Sequence, residues 1–179
     1  MVNFTLNWLM RILAVVGVLY AVLAITNNKF EYLKTKEYNQ KYITMAEREK
    51  HLVCLAKNIY FEAATEPFEG KVAVAQVTIN RAESGKFPDD ICDVVFQKTK
   101  FFDRVVCQFS WYCEPGPKVV RSNQHYVESE LVARKVLLEN FRLPSLQNAM
   151  YYHADYVHPN WNKPKITKIG RHIFYGENK

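Results

Sequence analysis

Apolar positions recur along this chain in three different spacings, and each predicts a different kind of segment. Between Leu6 and Ile25 the run "LNWLMRILAVVGVLYAVLAI" carries one charge, Arg11, and is unbroken from Ile12 to Ile25. About 20 apolar residues match the hydrocarbon thickness of a bilayer, so residues 6–26 read as a transmembrane helix. Arg11 can snorkel to the interface and Trp8 suits the same level. From Glu47 the spacing turns helical, with Leu52, Leu55, Ala56, Ile59 and Ala63 on one face. Pro67 breaks that run, and a second helix, about 68–83, follows with the proline in its first turn. Its inner side is read as Val72, Ala75 and Ile79, with Gly85 as its C-terminal cap. "FPDDICDVVFQ" predicts a short helix with an Asp cap. A third helix over 123–141, capped at Ser122 or Asn123, is expected to turn Val127, Leu131 and Leu138 inward. Alternation around 149–153 and 166–175 predicts short strands. Residues 98–121, with aromatics, two cysteines and "EPGP", read as a loop or hairpin.

The sum is an α+β fold, mainly helical: an anchor at 6–26, a mixed-charge stalk at 27–46 and a folded domain at 47–179. Composition agrees, because 49% hydrophobic and 23% charged residues in 179 are enough to bury a core. The formal charge of +6 is spread without a Lys or Arg run. That pattern points to an anionic surface such as phospholipid or cell wall, and away from a nucleic-acid partner.

Two features pull the topology in opposite directions. Lysines at 29, 34 and 36 oppose an outward C-terminus under the positive-inside rule. Cys54, Cys92, Cys107 and Cys113 all follow the apolar segment, and an even number of cysteines suits an oxidising compartment. Cys107 and Cys113 bracket "QFSWY", a loop a bridge would pin, which leaves Cys54 for Cys92. Four cysteines allow three connectivities, and four buried thiols are the rival reading. A cleaved signal peptide is the rival to the anchor, with Val22 and Ala24 as small residues before a cut. The long apolar run without a clean small-x-small site favours an uncleaved anchor.

The chemistry concentrates in "NIYFEAATEPFEG", residues 58–70, where three glutamates lie within eight positions. Glu62 comes seven residues after Leu55 and three after Ile59, so it projects from the apolar face. Desolvation there raises a carboxyl's proton affinity, which is what a general acid needs near neutral pH. Glu66 and Glu69 are read instead as helix-start residues, Glu66 capping the second helix.

"CLAKNIYFEAATEPFEGKVAVAQVTINRAESGKFPDDICDVVFQ", then "CQFSWYC", "AMYYHADYVHPNW" and "IGRHIFYG", closely resembles the SleB-type cell-wall hydrolases, which include spore-cortex-lytic enzymes. The resemblance runs from about Leu52 to Gly176. It implies a lysozyme-like fold and cleavage of peptidoglycan glycan strands, typically as a lytic transglycosylase, with Glu62 as the catalytic acid. This chain has Phe61 where many relatives have Gly, and Ala64-Thr65 where Arg-Gly is common. Carried onto the matching blocks, the substrate-binding residues are Tyr60, Gln108, Ser110, Trp111, Tyr151, Tyr152 and His153. Amide and hydroxyl groups would meet sugar acetamides, and an indole would stack on a pyranose. His172 is read as a satisfied structural histidine, a reading that is also the alternative for His153. Asp103 and Glu114 are available as a second carboxylate if the reaction is hydrolysis.

The resemblance also implies an orientation: the anchor in the inner (cytoplasmic) membrane, with the domain on its periplasmic or extracytoplasmic side. No cofactor and no metal are expected. Two other functions remain open to test. A zinc amidase would need a ligand set from His51, His125, His153, His158 and His172, which contain no His-Glu-x-x-His pair. A non-catalytic wall-binding module would keep the aromatic residues and dispense with Glu62.

Overall fold

The computed structural model describes residues 2–39, 44–121 and 123–178. The chain divides into two units, residues 1–43 and 44–179. Among its described residues the first holds one helix, α1 (Val2–Asn39). Within it, Arg11–Lys29 has a mean hydropathy of 1.6 over its apolar window and is long and apolar enough to cross a membrane. The expected stalk at 27–46 continues α1 as far as residue 39, and its residues 40–43 lie outside the described residues. Ser122, one of the two expected caps of the third helix, lies outside them as well.

In the second unit, α2 (Met45–Ala63) opens on a capping box. Thr44 Oγ1 accepts from the Glu47 amide at 3.1 Å, and Glu47 Oε2 accepts from the Thr44 amide at 2.8 Å. Helix α3 (Phe68–Glu83) starts immediately after Pro67, which serves as its N-cap instead of standing in the first turn. Gly85, at φ +70°, closes its far end in the left-handed conformation that glycine adopts at no steric cost.

Helix α3 is buried on every side from Gly70 to Arg81, where the sequence predicts one inner face. Val72, Ala75 and Ile79 pack in the larger core with α2, α4 (Ile91–Val95) and α6 (Gln124–Leu137). Ala73 and Val77 pack in a second core with Leu146, Ala149 and Phe174. The short side chains of "VAVAQV" let neighbours approach from both sides, so α3 becomes the central axis.

The inner face of α6 differs from expectation. Val127, Leu131 and Leu138 are exposed, while Ser129, Val132, Ala133 and Val136 are buried. Those four follow i, i+3, i+4, i+7 spacing, and small residues among them bring the helix close to its neighbours. Asn123 caps α6 by accepting from the Tyr126 amide at 3.1 Å.

The remaining elements are short. Strands β1 (Lys98–Phe101) and β2 (Arg104–Cys107) form an antiparallel hairpin, with Lys98 opposite Cys107. A one-turn helix, α5 (Ser110–Cys113), follows, and later a 3-10 turn at Pro144–Leu146. Strands β3 (Tyr151–Ala154), β4 (Lys165–Ile169) and β5 (His172–Tyr175) form an antiparallel sheet in the order β3-β5-β4. Cys54 is bonded to Cys92, tying α2 to α4, and Cys107 to Cys113, tying β2 to α5.

Glu66 does not cap α3, whose N-terminus has no side-chain cap bond. It is buried, and its Oε2 accepts from the Arg171 amide at 2.9 Å in the β4–β5 turn. Gly170, at φ +55°, makes that approach feasible, because a Cβ there would overlap the same carboxylate oxygen. Pro67 turns the chain so that Glu66 reaches across to the sheet, away from the helix it precedes.

Candidate active site

The C-terminal turn of α2, the end of α3, the β2–α5 segment and strand β3 meet around a cleft of about 510 Å³. That volume falls in the range of small-ligand sites. Glu62 lines it, half-buried, with its open side on the cleft. Its Oε2 accepts a hydrogen bond from the Tyr152 hydroxyl at 2.9 Å. Burial raises the proton affinity of Glu62 above the usual carboxylate range. The Tyr152 bond and the Arg81 charge oppose that shift, and the Glu114 charge adds to it. Burial and the neighbouring Glu62 push the Tyr152 phenol far above its ordinary value, so it remains a donor.

Arg81, in the last turn of α3, is the buried cation beside the acid. Its Nε donates to the Met150 carbonyl at 2.8 Å, and its guanidinium lies 5.3, 5.0 and 5.9 Å from the ring centroids of Phe87, Phe109 and Tyr151. With its amide oxygen turned inward, Gln108 accepts from both terminal guanidinium nitrogens, at 3.2 and 3.1 Å. Sequence reasoning passed over Arg81. The available signal was its register, four residues after Val77 and seven after Val74, which places a charge among buried positions.

The β2–α5 segment contributes a second carboxylate. Ser110 Oγ donates to Glu114 Oε1 at 3.0 Å, and both residues line the cleft. The Cys107–Cys113 bond fixes the segment that carries them. Trp111 lines the cleft too, but it is only 6% exposed and its ring is stacked on Phe61, with centroids 4.4 Å apart. Its Nε1 donates to Asn58 Oδ1 at 2.9 Å, and Asn58 Nδ2 donates to Thr78 Oγ1 at 3.1 Å. The indole expected to stack on a sugar is therefore part of the floor, locked by a buried polar chain. Phe61 is the ring that covers it.

Strand β3 supplies the other wall. Tyr151 donates through its hydroxyl to Glu177, and burial together with that carboxylate pushes its phenol up to about 12. His153 Nδ1 lies 2.8 Å from the Ala154 carbonyl, so it must be the protonated nitrogen; Nε2 then accepts from the Tyr175 hydroxyl at 2.9 Å. Both nitrogens are engaged, which makes His153 a brace within the wall.

His172 is only 7% exposed, and its Nδ1 has no hydrogen-bond partner among the described residues, contrary to the expected satisfied histidine. Its ring meets Tyr152 edge-on, 5.0 Å between centroids, and burial lowers its proton affinity. Tyr60 does not line the cleft; its ring contacts Phe61 and Tyr126, and its hydroxyl accepts from Asn123 Nδ2 at 3.5 Å. Two residues along a helix is a rotation of about 200°, so Tyr60 and Glu62 cannot share a direction. Asp103 sits exposed in the β1–β2 turn and is not among the cleft's lining residues.

A family profile described as Cell Wall Hydrolase matches residues 65–175. The chain belongs to the cell wall hydrolase family. It is 32% identical over 124 residues, 67% of this chain, to the spore cortex-lytic enzymes of Bacillus subtilis and Halalkalibacterium halodurans. It spans about a third of the length of those relatives, 35% and 33% respectively. Among solved structures it is similar to the catalytic domain of the Bacillus cereus SleB protein, with 29% identity and a TM-score of 0.51, covering 70% of this chain and 90% of that one. As a cell wall hydrolase family member the chain therefore shares both sequence and fold with a catalytic domain. The profile match begins three residues after Glu62, so family membership and the chemistry of Glu62 rest on separate observations.

Proposed function

We propose that this chain cleaves the glycosidic bond between N-acetylmuramic acid and N-acetylglucosamine in peptidoglycan, as a lytic transglycosylase with Glu62 as its acid. The observation that carries this reading is a carboxyl whose proton affinity burial raises, on the wall of a substrate-sized cleft, with a tyrosine hydroxyl on one oxygen. Protonated Glu62 donates to the bridging oxygen as its bond to the muramic C1 breaks. The resulting carboxylate, still holding the Tyr152 hydrogen bond, takes the proton of the muramic 6-hydroxyl. O6 then closes on C1, giving the 1,6-anhydro sugar and returning Glu62 to its acid form with no water consumed. Positive charge developing at C1 is met by the Glu114 carboxylate in the same cleft.

Glu114 also supports the alternative of hydrolysis, in which a second carboxylate activates water and the product has a reducing end. Mass spectrometry of soluble products from purified sacculi separates these outcomes, because the anhydro product is lighter by one water. Free stem peptides would instead indicate an amidase. Glu62→Gln is expected to abolish glycan release while the domain stays folded, and retained release overturns the assignment.

The reading extends to location. Arg11–Lys29 would anchor the chain in the cytoplasmic membrane, with the disulfide-bonded domain on the extracytoplasmic side, where glycan strands are the partner. Protease added to spheroplasts should then degrade the domain, and full protection would contradict this placement.

A further inference from the structure

The cleft has an aromatic patch that the acid chemistry leaves unused. Trp161 and Tyr156 line the same cleft as Glu62, yet they are 42% and 71% exposed. A Trp left open to water on the wall of a polar cleft calls for a partner with an apolar face. Three rings surround it: Tyr151, His153 and Tyr175 meet it edge-to-face, with centroids 6.2, 5.6 and 5.9 Å away. None of these rings stacks parallel on the indole, unlike Phe61 on Trp111. Its own amide donates to the Pro159 carbonyl at 2.9 Å, and the start of the connection after β3 is tied to the sheet. The Asp155 amide donates to the Arg171 carbonyl at 2.8 Å, and Lys168 Nζ donates to Asp155 Oδ2 at 2.8 Å.

We propose that Trp161, flanked by Tyr156, is a stacking subsite for an N-acetylated hexosamine ring of the glycan strand, next to the ring whose bond is cut. A pyranose presents a face of C–H groups and a rim of hydroxyls. The indole takes the face while the rim stays in water, which is the division that a half-exposed Trp on an open cleft allows. The subsite rests on the glycosidase reading for its ligand, but it binds without any chemistry, so the two can be tested apart. It also assigns the stacking role to a residue twelve positions beyond Ala149 in the third block, in place of the covered Trp111.

The experiment uses the full chain in mild detergent carrying Glu62→Gln, with binding measured to purified sacculi and to N-acetylglucosamine tetramer. Adding Trp161→Ala is expected to weaken binding roughly tenfold, equivalent to about 1.4 kcal/mol. Trp161→Phe, which retains an aromatic face, should keep most of it and controls for misfolding. In the active chain, Trp161→Ala should raise KM and leave kcat nearly unchanged. Equal binding with and without Trp161 overturns the subsite, as does failure of the Glu62→Gln chain to bind either probe. Binding that depends on Trp161 in a chain whose wild type releases no cleaved glycan leaves the subsite standing and overturns the glycosidase reading.

Discussion

The acid's environment makes a prediction with a sign. Tyr152→Phe keeps the ring, and with it the contacts to His172 and Phe174 at centroid distances of 5.0 and 5.6 Å. It removes only the hydroxyl that donates to Glu62 Oε2 at 2.9 Å. A hydrogen bond to an ionised carboxylate contributes about 1.5–3 kcal/mol, against about 0.5–1.5 kcal/mol to a neutral group. The ionised form of Glu62 therefore loses more, by about 1–1.5 kcal/mol, which is roughly a tenfold change in its ionisation constant. In the proposed mechanism Glu62 acts in its protonated form, so activity is lost as pH rises through its titration, and that limb should move to higher pH. The rate on the acid plateau should fall by about tenfold, since the carboxylate formed after proton donation loses the same bond. Glu114→Gln acts the other way: it removes a negative charge that favours the proton on Glu62, and the limb should move to lower pH. Initial rates of sacculus clearing across the pH range read both variants. Shifts in the same direction, or no shift in Tyr152→Phe, would refute this account of the acid.

Three further outcomes follow from the same geometry. Because the folded Glu62 holds its proton more tightly than the ordinary 4.5, wild-type stability should fall as pH rises from about there through the folded titration. Glu62→Gln removes that dependence, so denaturant melts should show its stability advantage growing with pH and then levelling; a constant gap would contradict burial of the charge. Gly170→Ala should destabilise the domain by more than about 2 kcal/mol, because it adds a Cβ onto Glu66 at a left-handed position; a thermal melt unchanged from wild type argues against the clamp. Replacing both Cys107 and Cys113 with Ala opens a loop of sequence separation 6 and should cost about 2 kcal/mol, against about 4 kcal/mol for Cys54 and Cys92 at separation 38. Its effect on glycan release should be the larger of the two, since it frees the segment carrying Gln108, Ser110 and Glu114.

What the sequence made legible was whatever depends on local order. The registers of α2 and α4 and the strands near 150 and 170 follow from spacing and caps. Glu62 could be placed on an apolar face because seven residues of helix fix a direction. The misreadings have one physical origin, which is that burial is decided by neighbours distant in sequence. Large residues at 127, 131 and 138 looked like a core face, yet the close approach of α6 selected Ser129 and Ala133. Glu66 looked like a cap until the β4–β5 turn, about a hundred residues later, supplied its donor. Trp111 has the chemistry of a stacking platform, and only the fold shows Phe61 lying across it. Arg81 was visible as a charge in a buried register, but what it holds, Gln108 and the Met150 carbonyl, is not local at all.

The bond between Glu62 and Tyr152 joins residues 90 apart in the chain, one near the start of the folded unit and one in its late sheet. Without β3 the carboxyl would lack that hydrogen bond and the burial that Tyr152 supplies. On the proposed reading, a partly synthesised or clipped copy that lacks the sheet would carry Glu62 without the surroundings that raise its proton affinity. Completion of the fold would then act as the safety catch.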